Sequence, residues 1–217
     1  MRIEYLVSAG GREAVLYFSG WSFTPDAVRH LAAPEGCDVL ACWAYGDSLP
    51  DMDLTAYRRV RIVAWSMGCL MAERAAAHWR ARGLLCGEVV SAVAVNSTPR
   101  PRDRRFGIAP AVFDAVLARL TPQRYAAFRQ SCGAAAAHLA ARPFDGAAAE
   151  LAALARHTAA PAAEPLPWCR ALVGLRDRVF PPSAQQRYWQ PRCAVGTADA
   201  PHYLFDRYRD WQQLWQG

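Results

Sequence analysis

Three residue types in this chain carry the chemistry: a serine, a histidine and an aspartate. Ser66 lies in Val63-Ala64-Trp65-Ser66-Met67-Gly68, between a run that reads as a buried strand and a run of helix formers. That is the setting of a nucleophile elbow, a turn so tight that small residues must sit two positions either side of the serine. Gly68 supplies one of them, and Ala64 stands where the other glycine is expected. A serine held this way projects from the carboxyl edge of a sheet, with a helix N-terminus beneath the charge that develops on attack. The bare pattern x-S-x-G is common by chance, so the flanking strand and helix carry the reading.

A hydroxyl nucleophile needs a base, and the base needs a carboxylate to orient it. His78, His138 and His157 fall inside helical patterns, and His30 falls near the end of a helix that Thr24-Pro25 would open. His202, in Asp199-Ala200-Pro201-His202-Tyr203, sits in a loop between the last strand and the last helix and is the candidate base. Asp177 follows the preceding strand in Gly174-Leu175-Arg176-Asp177 and is the candidate orienting carboxylate. The plainer reading pairs Asp177 with Arg176 or Arg178 at the surface. Asp199 is a rival too close in sequence to His202 to reach behind its ring easily. The Met67 N–H and a second N–H at Trp21, after Gly20, would make an oxyanion hole; alternatively, Trp21 is plain core. The chemistry of the whole set is acyl transfer through a serine.

The elements that must position these residues alternate. Strand patterns cover Ile3 to Val7 and Ala14 to Ser19, joined by a turn at Gly10-Gly11, then Val39 to Cys42, Val60 to Trp65 and Val89 to Asn96. Met67 to Arg82 reads as a helix ended by Gly83. From Pro99 to Pro167 the texture turns helical, at Pro110 to Leu120, Pro122 to His138 and Phe144 to His157. Strands return at Ala171 to Gly174 and Cys193 to Val195, with a helix at Ser183 to Trp189 and a last one after His202. This predicts one α/β domain: a mostly parallel sheet with helices on both faces. Core segments 1–98 and 168–217 would flank a helical lid insertion at 99–167.

Composition narrows the classes. The 217 residues are 53% hydrophobic and hold no apolar run of membrane-spanning length. The N-terminus opens into a strand pattern without a signal-type apolar region, so a cytoplasmic protein is expected. Seven scattered cysteines without a C-x-x-C pair make a poor disulfide framework and a poor metal site; no metal and no cofactor are expected. The net charge of +6 comes from arginine alone, since the chain has no lysine. Lysine Schiff bases and P-loop lysines are thereby excluded, and no nucleic-acid recognition motif accompanies the basic charge.

Phe18-Ser19-Gly20-Trp21, Ala64 to Gly68, Asn96-Ser97-Thr98-Pro99, Gly174-x-x-Asp177 and Asp199-x-Pro201-His202-Tyr203 together resemble the BioG family over nearly the whole chain. The resemblance implies an α/β-hydrolase fold and a pimeloyl-acyl-carrier-protein methyl ester esterase of biotin synthesis. It implies Ser66, Asp177 and His202 as a catalytic triad, Trp21 and Met67 around the oxyanion, and an acyl carrier protein as partner. Ala64 and Ser97 depart from the glycines expected there; neither removes a catalytic group. By similarity to related esterases, Trp21, Phe128 and Gln130 would touch substrate, although helix packing explains the last two equally well. Arg100, Arg102, Arg104, Arg105, Arg119, Arg124 and Arg129 are candidates to dock the acidic carrier, against a solvated face as the plainer reading. A small-molecule carboxylesterase or acyl thioesterase shares the same triad, and a non-catalytic hydrolase-fold binding protein is the alternative of another class.

Overall fold

In the computed structural model, residues 1–161 and 163–216 are described. Seven strands among them form one sheet in the order β1-β3-β2-β4-β5-β6-β7. They are β1 (Arg2–Val7), β2 (Glu13–Phe18), β3 (Cys37–Trp43), β4 (Arg59–Trp65), β5 (Glu88–Val95), β6 (Trp168–Gly174) and β7 (Ala194–Ala198). All neighbours run parallel except β1, which pairs antiparallel with β3. Gly10-Gly11 therefore does not close a hairpin, because β3 comes between β1 and β2 in the sheet.

The central strands are buried on both faces, and their alternation divides the core in two. Leu16, Phe18, Ile62, Ala64 and Ala94 face one layer, formed by α1 (Gly68–Ala81) and α6 (Pro182–Trp189) with Trp79 and Trp189. Tyr17, Val63, Trp65, Val93 and Val95 face the other, filled by Phe23, Val28, Phe205 and Trp211. That second face is covered more thinly than the sequence predicts. Thr24-Pro25 opens only a 3-10 turn at Pro25–Ala27, with the Thr24 hydroxyl bonded to Asp26 at 3.1 Å instead of capping a helix. After His202 there is a 3-10 turn at Phe205–Arg207 and a short α7 (Gln212–Gln216). His202, Tyr203, Leu204 and Phe205 are all buried; four consecutive inward side chains are more than one face of a helix can turn to a core.

Between β5 and β6 lie α2 (Pro110–Ala118), α3 (Pro122–Ser131), α4 (Ala134–Ala137) and α5 (Phe144–Ala159). The predicted helix over Pro122 to His138 is broken at Gly133, whose φ is 123°. A Cβ there would lie 2.6 Å from Pro201 Cγ, so the break lets the lid press on the loop that carries His202. The strand predicted at Cys193 to Val195 begins one residue later and runs on to Ala198, because Gly196 and Thr197 pair with Leu172 and Val173.

Candidate active site

Ser66 follows β4 directly and has φ 55°, left-handed backbone that a serine adopts only under constraint. Its N–H donates to Val95 O at 3.0 Å, and Cys69 N–H returns to Ser66 O at 3.0 Å as α1 begins. Gly68 is obligatory for a steric reason. A Cβ on it would lie 2.3 Å from Phe18 O and 2.7 Å from Ser19 O, where α1 rests on the end of β2. Ala64 is fully buried in β4 and paired with Phe18 and Ala94, a position that needs a small side chain but not a glycine.

His202 and Asp177 meet in the interior. His202 Nδ1 lies 2.8 Å from Asp177 Oδ2, and the side chains are 1% and 0% exposed. A carboxylate oxygen accepts, so Nδ1 carries the proton and Nε2 is left as the basic nitrogen. That Nε2 is buried without a hydrogen-bond partner among the described residues. Asp177 Oδ1 accepts from the N–H groups of Val179 (2.8 Å) and Phe180 (2.9 Å), and Oδ2 accepts a second donor, Gln185 Nε2, at 3.0 Å. Asp177 thus turns inward and pairs with neither Arg176 nor Arg178. Arg176 pairs with Asp199, both at the surface, which removes Asp199 as a rival. The indole of Trp65, next to Ser66, packs on the His202 ring at 5.5 Å and donates to His202 O at 2.9 Å.

Gly20 passes close over the elbow: a Cβ there would be 3.1 Å from Ser66 Cβ. Among the described residues the N–H groups of Trp21 and Met67 donate to no backbone acceptor. Burial pushes the thiols of Cys69 and Cys132 up, so neither competes as a thiolate nucleophile.

Ser66 opens on a cavity of about 190 Å³. Its walls are apolar, chiefly Trp21, Met67, Phe113, Phe128 and Phe180; Ser131 and Arg178 are the other polar members. The Trp21 and Phe128 rings are 4.5 Å apart, and Trp21 Nε1 donates to Ala147 O of α5 at 2.7 Å. Trp21 is both core and cavity wall.

The family model for the pimeloyl-ACP methyl esterase BioG matches residues 1–214. The chain belongs to the BioG family. A crystal structure of BioG from Haemophilus influenzae superimposes with TM-score 0.89 at 39% identity, over 100% of both chains. A Haemophilus influenzae protein named only as uncharacterized is 42% identical over 94% of this chain and 95% of its own length. A malonyl-[acyl-carrier protein] O-methyltransferase of Bacteroides fragilis is 31% identical over 88% of this chain, a match that spans 40% of that longer protein. Esterase RhEst1 from Rhodococcus, at TM-score 0.61 and 16% identity over 97% of this chain and 90% of its own, shares the fold. The sheet with its helices is that of an α/β-hydrolase, and the protein is a hydrolase of the BioG family.

Several lid residues fall elsewhere than the sequence suggests. Arg129 is no docking residue in this BioG-family chain. It is 5% exposed, donates to Leu139 O at 2.7 Å and Ser22 O at 3.3 Å, and stacks over Phe23 at 4.5 Å. Gln130 is exposed and outside the cavity wall, which runs through Phe128 and Ser131. Arg102 is held by Asp114 and Arg105 lies over Phe106, whereas Arg100, Arg104, Arg119 and Arg124 are exposed. Two residues that support the site have no role in the sequence reading, although Asn96 stands in one of the motifs quoted there. Asn96 bonds to the loops of both Asp177 and His202. Glu150, buried on α5, accepts from the N–H groups of Ser22 and Tyr45 and pairs with Arg142. A signal for Glu150 existed: a lone charge on the apolar face that Ala147, Leu151 and Leu154 define.

Proposed function

We propose that this chain hydrolyses the methyl ester of pimeloyl-acyl carrier protein in biotin synthesis, with Ser66 as nucleophile and an acyl-serine intermediate. The observation that carries the reading is joint geometry: Ser66 on a left-handed elbow whose neighbour Trp65 packs on the ring of His202, itself buried and paired with Asp177 at 2.8 Å, in a chain matched to BioG over residues 1–214.

Ser66 Oγ attacks the ester carbonyl while His202 Nε2 takes its proton, and Asp177 holds the imidazolium. The tetrahedral oxyanion is met by the N–H groups of Met67 and Trp21. The C–O bond to the methoxy group breaks, and His202 returns the proton so that methanol leaves. Water then gives a proton to His202 and its hydroxyl to the acyl carbon; the bond from Ser66 Oγ to that carbon breaks, His202 returns the proton to Oγ, and the carboxylic acid is released. The apolar wall from Trp21 to Phe180 suits the methylene chain of the acyl group.

Two observations favour a carrier-bound substrate. The methyltransferase relative, named for an acyl-carrier-protein substrate, contains a stretch that resembles this chain, as expected if methyl addition and removal on a carrier are linked. Exposed arginines lie on either side of α2 in the chain: Arg100 and Arg104 before it, Arg119 and Arg124 after it. They are the proposed docking set for an acidic carrier, with Arg102 and Arg105 secondary because each is already engaged within the chain.

The test is hydrolysis of pimeloyl-carrier methyl ester against the free methyl ester, with Ser66→Ala as control. Serine-dependent preference for the carrier-bound ester is expected, with KM rising as salt screens the arginines. Serine-dependent cleavage without carrier preference would leave a general carboxylesterase, and turnover that survives Ser66→Ala would overturn the nucleophile.

A further inference from the structure

We infer that Asn96 is a positioning residue of the site, tying the loop of Asp177 to the loop of His202 through one side-chain amide. The inference rests on the reading of Ser66, Asp177 and His202 as catalytic.

Asn96 is the first residue beyond β5, the strand between the one that ends at Ser66 and the one that leads to Asp177. It is fully buried. Its Oδ1 accepts from Gly174 N–H at 2.6 Å, while Nδ2 donates to Pro201 O at 3.0 Å and His202 O at 2.8 Å. Both amide protons and one acceptor site are thereby used. Gly174 O in turn accepts from Asp177 N–H at 3.1 Å, so through Gly174 the amide is linked to the backbone of the residue that carries the orienting carboxylate. The His202 carbonyl also takes Trp65 Nε1 at 2.9 Å, which fixes the backbone of the base from two directions.

There is no slack in this junction. A Cβ on Gly174 would lie 2.6 Å from both Ala200 O and Pro201 O, so the two loops touch backbone to backbone. Asn96 itself has φ 47°, left-handed backbone that asparagine tolerates better than most residues. Residue type is dictated twice over. Aspartate lacks the donors, glutamine is a methylene too long, and leucine has the shape without a single hydrogen bond. Asn96 touches no reacting atom; it acts by setting where the imidazole stands relative to Ser66 and Asp177. Misplacing a reacting group by about 1 Å costs about 100-fold in rate.

Two variants dissect this. Asn96→Asp keeps the acceptor for Gly174 and points an oxygen at the two carbonyls of the His202 loop. Asn96→Gly removes the side chain and relieves the left-handed backbone. Both are assayed on the methyl ester per folded molecule, with the folded fraction taken from the unfolding transition. The downfield proton signal of the His202 Nδ1–H is read by NMR. The expected result is a kcat about 100-fold below wild type in both, KM within about threefold, and a shifted or lost downfield signal. A kcat near wild type with the signal unmoved would overturn the inference. Ser66→Ala run alongside separates the two readings. If that variant is inactive while the Asn96 variants turn over normally, only the positioning role falls; if it stays active, the triad itself falls.

Discussion

Replacing Glu150 with glutamine should damage stability and catalysis together. Glu150 is 2% exposed; Oε1 accepts Tyr45 N–H at 2.9 Å, and Oε2 accepts Ser22 N–H at 3.0 Å together with Arg142. In Glu150→Gln one of these positions becomes an NH2 group facing a donor, and Arg142 loses its counter-charge beside the Trp43 ring. Breaking a buried pair on one side costs about 3–5 kcal/mol. In a domain of this size that is roughly 6–20 °C in Tm. The catalytic effect follows from Ser22, which has φ 75° and is held on one side by Glu150 and on the other by Arg129. Its neighbour Trp21 carries a proposed oxyanion N–H; losing such a donor costs about 10²–10³ in kcat, so displacing it should cost about 10-fold. Thermal unfolding and steady-state kinetics on Glu150→Gln, Arg142→Met and the double variant check both claims. The double variant should cost clearly less than the sum of the singles, since it leaves no buried charge unpaired. Additive losses, or a Glu150→Gln protein with wild-type Tm, would refute the reasoning.

Asp177→Asn should lower kcat by about 10³–10⁴ with little change in KM, because an amide can hold the wrong imidazole tautomer; kinetics on the same ester measure it. Gly20→Ala places a methyl 3.1 Å from Ser66 Cβ and 3.1 Å from Trp65 Cε3. It should reduce kcat while leaving the Tm loss small, and a variant with unchanged kcat would count against the tight approach of this loop. Glu73, buried in α1 and accepting from Trp168 Nε1 at 2.8 Å, has its pKa raised by burial from 4.5 to about 7. Its folded form binds a proton that the unfolded chain releases, so its stabilising share is full below pH 4.5 and is lost as pH rises through 7. Glu73→Gln should gain up to about 3 kcal/mol over wild type at pH 8 and less at pH 5, measured by denaturant unfolding at both values.

The Ser66 elbow and the pairing of His202 with Asp177 were legible in the sequence because each residue sits at a boundary between elements, where a short stretch states both the residue and its strand or helix context. Ala64-Trp65-Ser66-Met67-Gly68 needs nothing distant to be read. Asn96 and Glu150 are different in kind: the backbone groups their side chains bind are 78 to 128 residues away, and only the folded topology brings Gly174, His202 or Ser22 to them. Arg129 was misread for the same reason. Among the lid arginines it looks like another surface charge, yet the Gly133 break curls the chain so that the Ala136, Leu139 and Ala140 carbonyls converge on its guanidinium. The C-terminal segment was misjudged because its helix formers yield to four adjacent inward side chains, a packing demand that local propensity does not contain.

The lid and the catalytic loops are not separate devices. On the oxyanion side, α5 accepts the Trp21 indole at Ala147 and the Ser22 and Tyr45 N–H groups at Glu150, while Arg129 holds Ser22 O. On the base side, Tyr203 N–H donates to Cys132 O at 2.8 Å, and Gly133 lies against Pro201. So α3 to α5 brace both halves of the site through buried hydrogen bonds that would be costly to leave unmade. Helix α2 is held differently. It buries only Phe113, and its ion pair to Arg102 is exposed and screened by solvent. Yet Val112 and Val116, 56% and 43% exposed, line the cavity above Ser66. Moving α3 to α5 would break the hydrogen bonds that hold the Trp21–Ser22 turn and the Pro201–Tyr203 loop. Moving α2 uncovers Phe113 and the partly buried Leu117, so on the proposed reading the wall that yields to substrate is the one that braces neither loop of the site.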